Sequence, residues 1–271
     1  MGAPMAARLL HHGDEVVVWN RTPERAADLV ERGARLAESP AEAACDADAV
    51  FTMLSTPEAV DSVVLGPEGV VHGLSHGATL FEMSTIGPSA VRAIGERVPT
   101  IDAPVLGSVP QATEGTLNIF VGASDDQYVE WQSLLERFGR PRHLGPPGAG
   151  ASMKLVANLC LGVLMTGLGE ALALAEAFGL DQPDVLDILA ESPIQVTVKS
   201  KRRNIESGEW PPNFKLMLAA KDMRLVLEEA ERCGLAPRVA AAARTWIEQA
   251  EADGLGELDY SAVIRHILGQ P

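Results

Sequence analysis

The strongest constraint on this chain is a change of pattern at "HLGPPGAGASMK", residues 143–154. Before it, short apolar runs alternate with helical patterns. Strands are predicted at Glu15–Trp19, Ala49–Leu54, Thr79–Met83, Thr100–Ala103, Leu117–Val121 and Arg142–Leu144. Helices are predicted at Met5–His11, Pro23–Arg32, Ala41–Cys45, Pro57–Leu65, Pro88–Arg97 and Asp125–Phe138, with Thr22 as an N-cap ahead of Pro23. Such alternation implies a parallel sheet covered on both faces. After the break almost no strand pattern remains. Helices are predicted at Ala151–Phe178, Gln182–Ala190, Phe214–Cys233, Pro237–Ala252 and Tyr260–Leu268, with Gly179, Gly234 and Gly254 as C-caps. The expected fold class is α/β: a parallel-sheet domain over 1–147, followed by an all-α domain over 148–271.

Composition narrows the function. Hydrophobic residues make up 46% of the 271, which supports a packed core. A net charge of −15 argues against a broad nucleic-acid surface, so any anionic ligand needs a local site. The three cysteines, Cys45, Cys160 and Cys233, are scattered and read as free thiols in a reducing, cytoplasmic setting. The opening residues lack the basic and apolar regions of a secretory signal. The six histidines lack metal-ligand spacing, so no metal is expected. Leu155–Ala175 is a long apolar run interrupted by Asn158, Thr166 and Glu170. It reads as a buried core helix and not as a membrane span.

The opening stretch, "MGAPMAARLLHHGDEVVVWNRTPER", reads as the second part of a dinucleotide-binding βαβ unit. In such units a strand ends in G-x-G-x-x-G and the next helix points its N-terminus at a pyrophosphate. Gly2 takes the place of the third glycine, which lets helix and strand pack closely. Asn20, Arg21 and Thr22 follow the second strand, where the adenosine ribose is met. An acidic residue there favours NAD; Arg21 can fork onto a 2′-phosphate, which favours NADP(H) with NAD(H) possible. Arg21 reads equally well as a surface residue in a turn. The preceding strand is missing, so the chain is expected to be N-terminally incomplete by roughly ten residues of strand plus G-x-G.

Six motifs, "MGAPMA", "VWNRTPE", "MSTIGP", "DAPVLGS" with "GTLNIFVG", "GAGASMKLVANL" and "AAKDMRLVLEEA", occur in this order. In them the chain resembles the β-hydroxyacid dehydrogenase family over essentially its whole length. The resemblance implies a Rossmann-like domain, a helical domain supporting homodimers or homotetramers, and hydride exchange between NAD(P)H and a short carbonyl acid.

Lys154 and Asn158 stand one helical turn apart and share a face. A lysine at the start of a buried apolar helix is unfavourable unless paired or used; the alternative is a lysine snorkelling at a hinge. The resemblance makes Lys154 the general acid and has Asn158 orient lysine or substrate. It puts Thr85 near nicotinamide and substrate, although Thr85 also reads as an N-cap ahead of Pro88. Leu54 and Ser55 are expected to line the cofactor site through their backbone. Lys221 is expected to reach the cofactor and Asp222 to brace the site; the alternative is a surface charge pair. Phe214 reads as a wall of the substrate pocket or as a core residue. One departure stands out: the family commonly has Ser where this chain has Leu106, which cannot donate a hydrogen bond. The backbone N–H groups of Gly107 and Ser108, and the Ser108 hydroxyl, are left to hold a substrate carboxylate. The segment between Pro88 and Asp102 is also several residues short.

The expected function is NADPH-preferring reduction of a small aldehyde or keto acid of glyoxylate, succinic semialdehyde or 3-hydroxyisobutyrate type. The small molecule is the partner; nucleic acid and membrane are not. Alternatives are an imine reductase, against which Lys154 argues, and a nucleotide-binding module without catalysis.

Overall fold

Leu80 and Phe81 are neighbours in sequence, yet they lie in different hydrophobic clusters. Successive side chains of a strand point to opposite faces, so this pair alone marks a sheet buried on both sides. The computed structural model describes residues 1–270, which divide into two compact units, Met1–Lys154 and Leu155 onward.

The first unit contains α1 (Gly2–His11), β1 (Val17–Val18), a 3-10 turn (Pro23–Ala26), α2 (Ala27–Glu31), β2 (Arg35–Leu36), α3 (Pro40–Ala44) and β3 (Ala49–Thr52). It continues with α4 (Pro57–Leu65), a 3-10 turn (Val70–His72), β4 (Thr79–Glu82), α5 (Pro88–Gly95), β5 (Thr100–Asp102) and β6 (Val105–Leu106). It ends with α6 (Val109–Glu114), β7 (Leu117–Gly122), α7 (Asp125–Leu135) and β8 (Gly139–Gly145). Ser39, Thr56 and Ser124 cap α3, α4 and α7 with their side chains, and α3 and α4 also carry a proline at the first helical turn.

The expected parallel sheet is present, with antiparallel pairings added to it. β3, β4 and β5 pair in parallel, as do β7 and β8 across the α7 crossover. β5 and β6 instead run antiparallel to β7 and occupy successive stretches of one edge of it, Asp102 opposite Gly122 and Val105 opposite Ile119. A parallel return needs a crossover of a dozen or more residues, and residues 107–116 supply only the short α6. β1 pairs in parallel with β2 alone, in a separate two-stranded sheet. The predicted strand Glu15–Trp19 is ladder-bonded only at Val17–Val18, because a single short neighbour can satisfy no more.

On one face of the larger sheet, Phe51 stacks on Phe81 with centroids 4.8 Å apart and meets Phe138 edge-on at 5.2 Å. Met5 of α1 packs into this cluster with Ile101, Leu117 and Ile119. On the other face Val60, Val64, Val91 and Ile94 from α4 and α5 cover Leu80.

The long helix α8 (Ala149–Ala177) begins in the first unit and runs on into the second. The second unit continues with α9 (Gln182–Leu189), α10 (Gln195–Ser207), α11 (Leu216–Arg232), α12 (Arg238–Ala250), a π-helical turn (Glu251–Leu255), a 3-10 turn (Tyr260–Ala262) and α13 (Val263–Ile267). Gly179 and Gly234 follow α8 and α11 at φ 73° and 72°, the left-handed conformation of a C-terminal stop. Leu155, Met165, Leu168 and Leu172 of α8 join Met223, Ile247 and Ile264 in one core. The expectation of burial all round is corrected here: Val156, Cys160, Leu164, Leu174 and Phe178 are exposed along the opposite side. By length and composition alone α8 matches a membrane span, but one face of it is packed against the helical core.

α10 was not expected. Its inward positions are Val198, Lys201 and Ile205, so a lysine hides the middle of the apolar stripe. Lys201 Nζ donates to the fully buried Asp259 Oδ1 at 2.7 Å and lies over the Tyr260 ring. Asp259 Oδ2 accepts the N–H groups of Asn213 and Phe214, and Oδ1 the Ser261 hydroxyl at 2.6 Å. This knot fixes the loop ahead of α11.

Candidate active site

Lys154 is half-buried in the second turn of α8, and Asn158 lies one turn on, 4% exposed. Asn158 Nδ2 donates to Asp222 Oδ2 at 2.5 Å, and Asp222 Oδ1 pairs with Lys221 Nζ at 2.7 Å. The Lys221 and Asp222 side chains are only 14% and 4% exposed, so this is an inward ion pair and not a solvated one. An ionised carboxylate only accepts hydrogen bonds. Asp222 therefore fixes which way the Asn158 amide faces: nitrogen toward Asp222, oxygen away. That oxygen is buried and, among the described residues, has no hydrogen-bond partner. Leaving such a group unmatched costs about 1–3 kcal/mol, so the site is built to receive a donor there.

A second network joins the loops after β3 and β4. Glu82, fully buried, accepts the Ser84 N–H at 2.7 Å on Oε1 and the Thr52 hydroxyl at 2.6 Å on Oε2. Ser84 Oγ in turn accepts the Leu54 N–H at 2.8 Å. Leu54, Ser55 and Thr85 thus sit on loops tied together at the carboxyl ends of parallel strands, where ligands bind in open α/β sheets. Thr85 is half-buried and Ser55 exposed. The N-cap position of α5 is Gly87, two residues beyond Thr85. Glu82 and Ser84 were not anticipated; the signal was a carboxylate inside the apolar run "TLFEMS".

The reading of Ser108 is corrected. Its N–H and its hydroxyl both donate to Gln111 Oε1, at 2.9 and 3.0 Å, at the head of α6. The S-x-x-Q spacing of "SVPQ" is that of a capping box, and it engages the groups expected to hold a carboxylate. Gly107 remains from that expectation.

Gly2 is the first residue of α1, whose N-cap makes no side-chain bond and whose first turn holds no acid. A Cβ at Gly2 would meet Met53 Cβ at 3.6 Å, an ordinary contact, so close packing is not what calls for glycine here. Asn20 Oδ1 accepts the Thr22 N–H at 2.9 Å and shapes the turn that carries Arg21 into solvent. Thr22 holds the expected N-cap position ahead of Pro23, without a side-chain cap bond; the asparagine organises this turn. An exposed guanidinium after β1 suits a phosphate-bearing nucleotide. Phe214 packs against the helical core with its ring 5.5 Å from that of Tyr260.

Comparison with known proteins identifies the family. Residues 1–156 match the model for the NAD binding domain of 6-phosphogluconate dehydrogenase, and residues 148–267 match that for the NAD-binding region of NADP-dependent 3-hydroxyisobutyrate dehydrogenase. Glyoxylate/succinic semialdehyde reductase 1 of Arabidopsis thaliana is 35% identical over 98% of this chain and 95% of its own. The human cytokine-like nuclear factor N-PAC is 32% identical over 98% of this chain, which spans 49% of that protein. The solved structure of Mycobacterium tuberculosis 3-hydroxyisobutyrate dehydrogenase with L-serine superposes with a TM-score of 0.86 at 27% identity, covering 98% of this chain and 95% of that one. The chain belongs to the β-hydroxyacid dehydrogenase family and is an NAD(P)-dependent oxidoreductase of hydroxy acids.

Proposed function

We propose that this enzyme reduces a small aldehyde or keto acid of the glyoxylate or succinic semialdehyde type, with NADPH preferred over NADH. The observation that carries the reading is Lys154 one helical turn from an Asn158 whose amide is locked by Asp222. The nicotinamide, when bound, supplies the hydride. The Lys154 ammonium protonates the carbonyl oxygen as negative charge develops there, because an alkoxide is a poor product at neutral pH. Asn158 presents an acceptor, which suits either the Lys154 ammonium or a substrate hydroxyl. Arg21 would hold the 2′-phosphate, and Gly2, Asn20, Thr22, Leu54, Ser55 and Thr85 would hold the rest of the cofactor. Gly107 holds the carboxylate through its N–H.

The exposed apolar side of α8 supports self-association into a dimer or tetramer, and three free thiols support a cytoplasmic location. A panel of short aldehydes and keto acids, followed by loss of nicotinamide absorbance, tests the activity. Turnover of glyoxylate or succinic semialdehyde is the expected result. Tight NADPH binding without turnover of any member would favour a nucleotide-binding module.

Leu106→Ser returns a donor beside Gly107. It is expected to raise kcat/KM for glyoxylate and succinic semialdehyde by about tenfold, the scale of one added hydrogen bond to a charged group. An unchanged value would mean that the Gly107 backbone suffices.

A further inference from the structure

We infer that Asp102 is a positioning residue for the reduction: it locks the first turn of α8, and with it Lys154, to the strand that leads into Gly107. The inference rests on the reading of Lys154 as general acid.

Asp102 ends β5 and is fully buried. Its Oδ1 accepts the Gly148 N–H and its Oδ2 the Ala151 N–H, each at 2.7 Å. An ordinary N-cap comes from the residue just before the helix. Here the cap comes from a strand 46 residues earlier in the chain, so it is a tertiary tie and not a local stop.

The packing around it leaves no play. A Cβ on Gly122 would fall 2.3 Å from Asp102 Oδ1, and one on Gly150 would fall 2.0 Å from the Phe120 carbonyl oxygen and 3.0 Å from Asp102 Oδ2. The helix start is therefore pressed against β5 and β7 at positions where only glycine fits.

Lys154 lies three residues beyond Ala151 and four beyond Gly150, on the same helical face. Any shift of the first turn passes directly to its Cα. In the other direction, Ala103-Pro104-Val105-Leu106 leads from Asp102 to Gly107, with Val105 and Leu106 ladder-bonded to β7. One carboxylate thus sets the spacing between the proton donor and the backbone proposed to hold the substrate. Displacing a reacting group by about 1 Å can cost on the order of 10²-fold in rate.

Asp102→Asn keeps the shape but turns an NH₂ group against a backbone N–H. The expected result is a fall in kcat of roughly 10- to 100-fold, with the substrate KM and the NADPH Kd changed by less than about threefold. In a Lys154→Ala background the same change is expected to add no further loss, because its effect passes through Lys154. Multiplying losses in the double variant, with Lys154→Ala itself impaired, would overturn the role of Asp102 alone. A KM-only effect would do the same. Near-normal turnover of Lys154→Ala would overturn the general-acid reading and this inference together. Should Asp102→Asn fail to fold, amide hydrogen exchange on the unmodified protein decides. The Gly148 and Ala151 amides are expected to exchange slowly, and exchange at the rate of open first-turn amides would overturn the tie.

Discussion

Replacing Lys154 with alanine is expected to slow turnover by roughly 10²–10⁴-fold, the range for losing a general acid, and to leave NADPH affinity nearly unchanged. The lysine is half-buried, and water entering the space left by its side chain is a weaker and less well-aligned donor than an ammonium fixed in the second turn of α8. Lys154→Arg separates proton transfer from charge. Arginine keeps the positive charge but does not release its proton near neutral pH, so this variant is expected to remain impaired while still binding the carbonyl substrate. Steady-state kinetics on the preferred aldehyde measure both. A Lys154→Ala enzyme with near-normal kcat would show that protonation comes from elsewhere.

Arg21→Glu is expected to reverse the cofactor preference, moving the ratio of NADPH to NADH affinity by about 10²–10³. A charge-assisted hydrogen bond contributes about 1.5–3 kcal/mol, roughly one to two powers of ten, and a carboxylate facing a phosphate adds repulsion. The position suits the experiment: Arg21 is exposed on a turn shaped by Asn20, so the change disturbs no packing. Fluorescence titration of both cofactors gives the ratio. Equal affinity of the unmodified protein for NADH and NADPH would contradict the role given to Arg21.

What the sequence made legible followed from periodicity. Strands such as Thr79–Glu82 and Leu117–Gly122 are apolar and lie inside the sheet, and their pattern announces them. The antiparallel turn of β5 and β6 onto β7 was not legible, because strand direction is set by the length of the connection and not by the strand residues. Helix α10 escaped because Lys201 occupies a core position, and only Asp259, far along the chain, makes that position tolerable. At the candidate site, Lys154, Asn158 and Asp222 were visible through motif and spacing. Their geometry was not: that Asn158 presents an oxygen depends on a contact 64 residues away. Ser108 is the opposite case: the local S-x-x-Q spacing of "SVPQ" announces the capping box that engages its N–H and hydroxyl.

The buried carboxylates Asp102 and Asp259 give the two units different responses to acidification. At Asp102 burial outweighs the hydrogen bonds from Gly148 and Ala151 and holds the carboxyl above its ordinary range. The folded first unit then takes up this proton more readily than the unfolded chain, so falling pH favours its folded form through that window. At Asp259 burial also pushes upward, but Lys201 and Ser261 together bring the carboxyl below its ordinary value. Its contribution is present above the unfolded pKa and is lost as pH falls toward the folded one. Proton uptake at Asp259 therefore weakens the loop ahead of α11, whereas proton uptake at Asp102 does not weaken the start of α8.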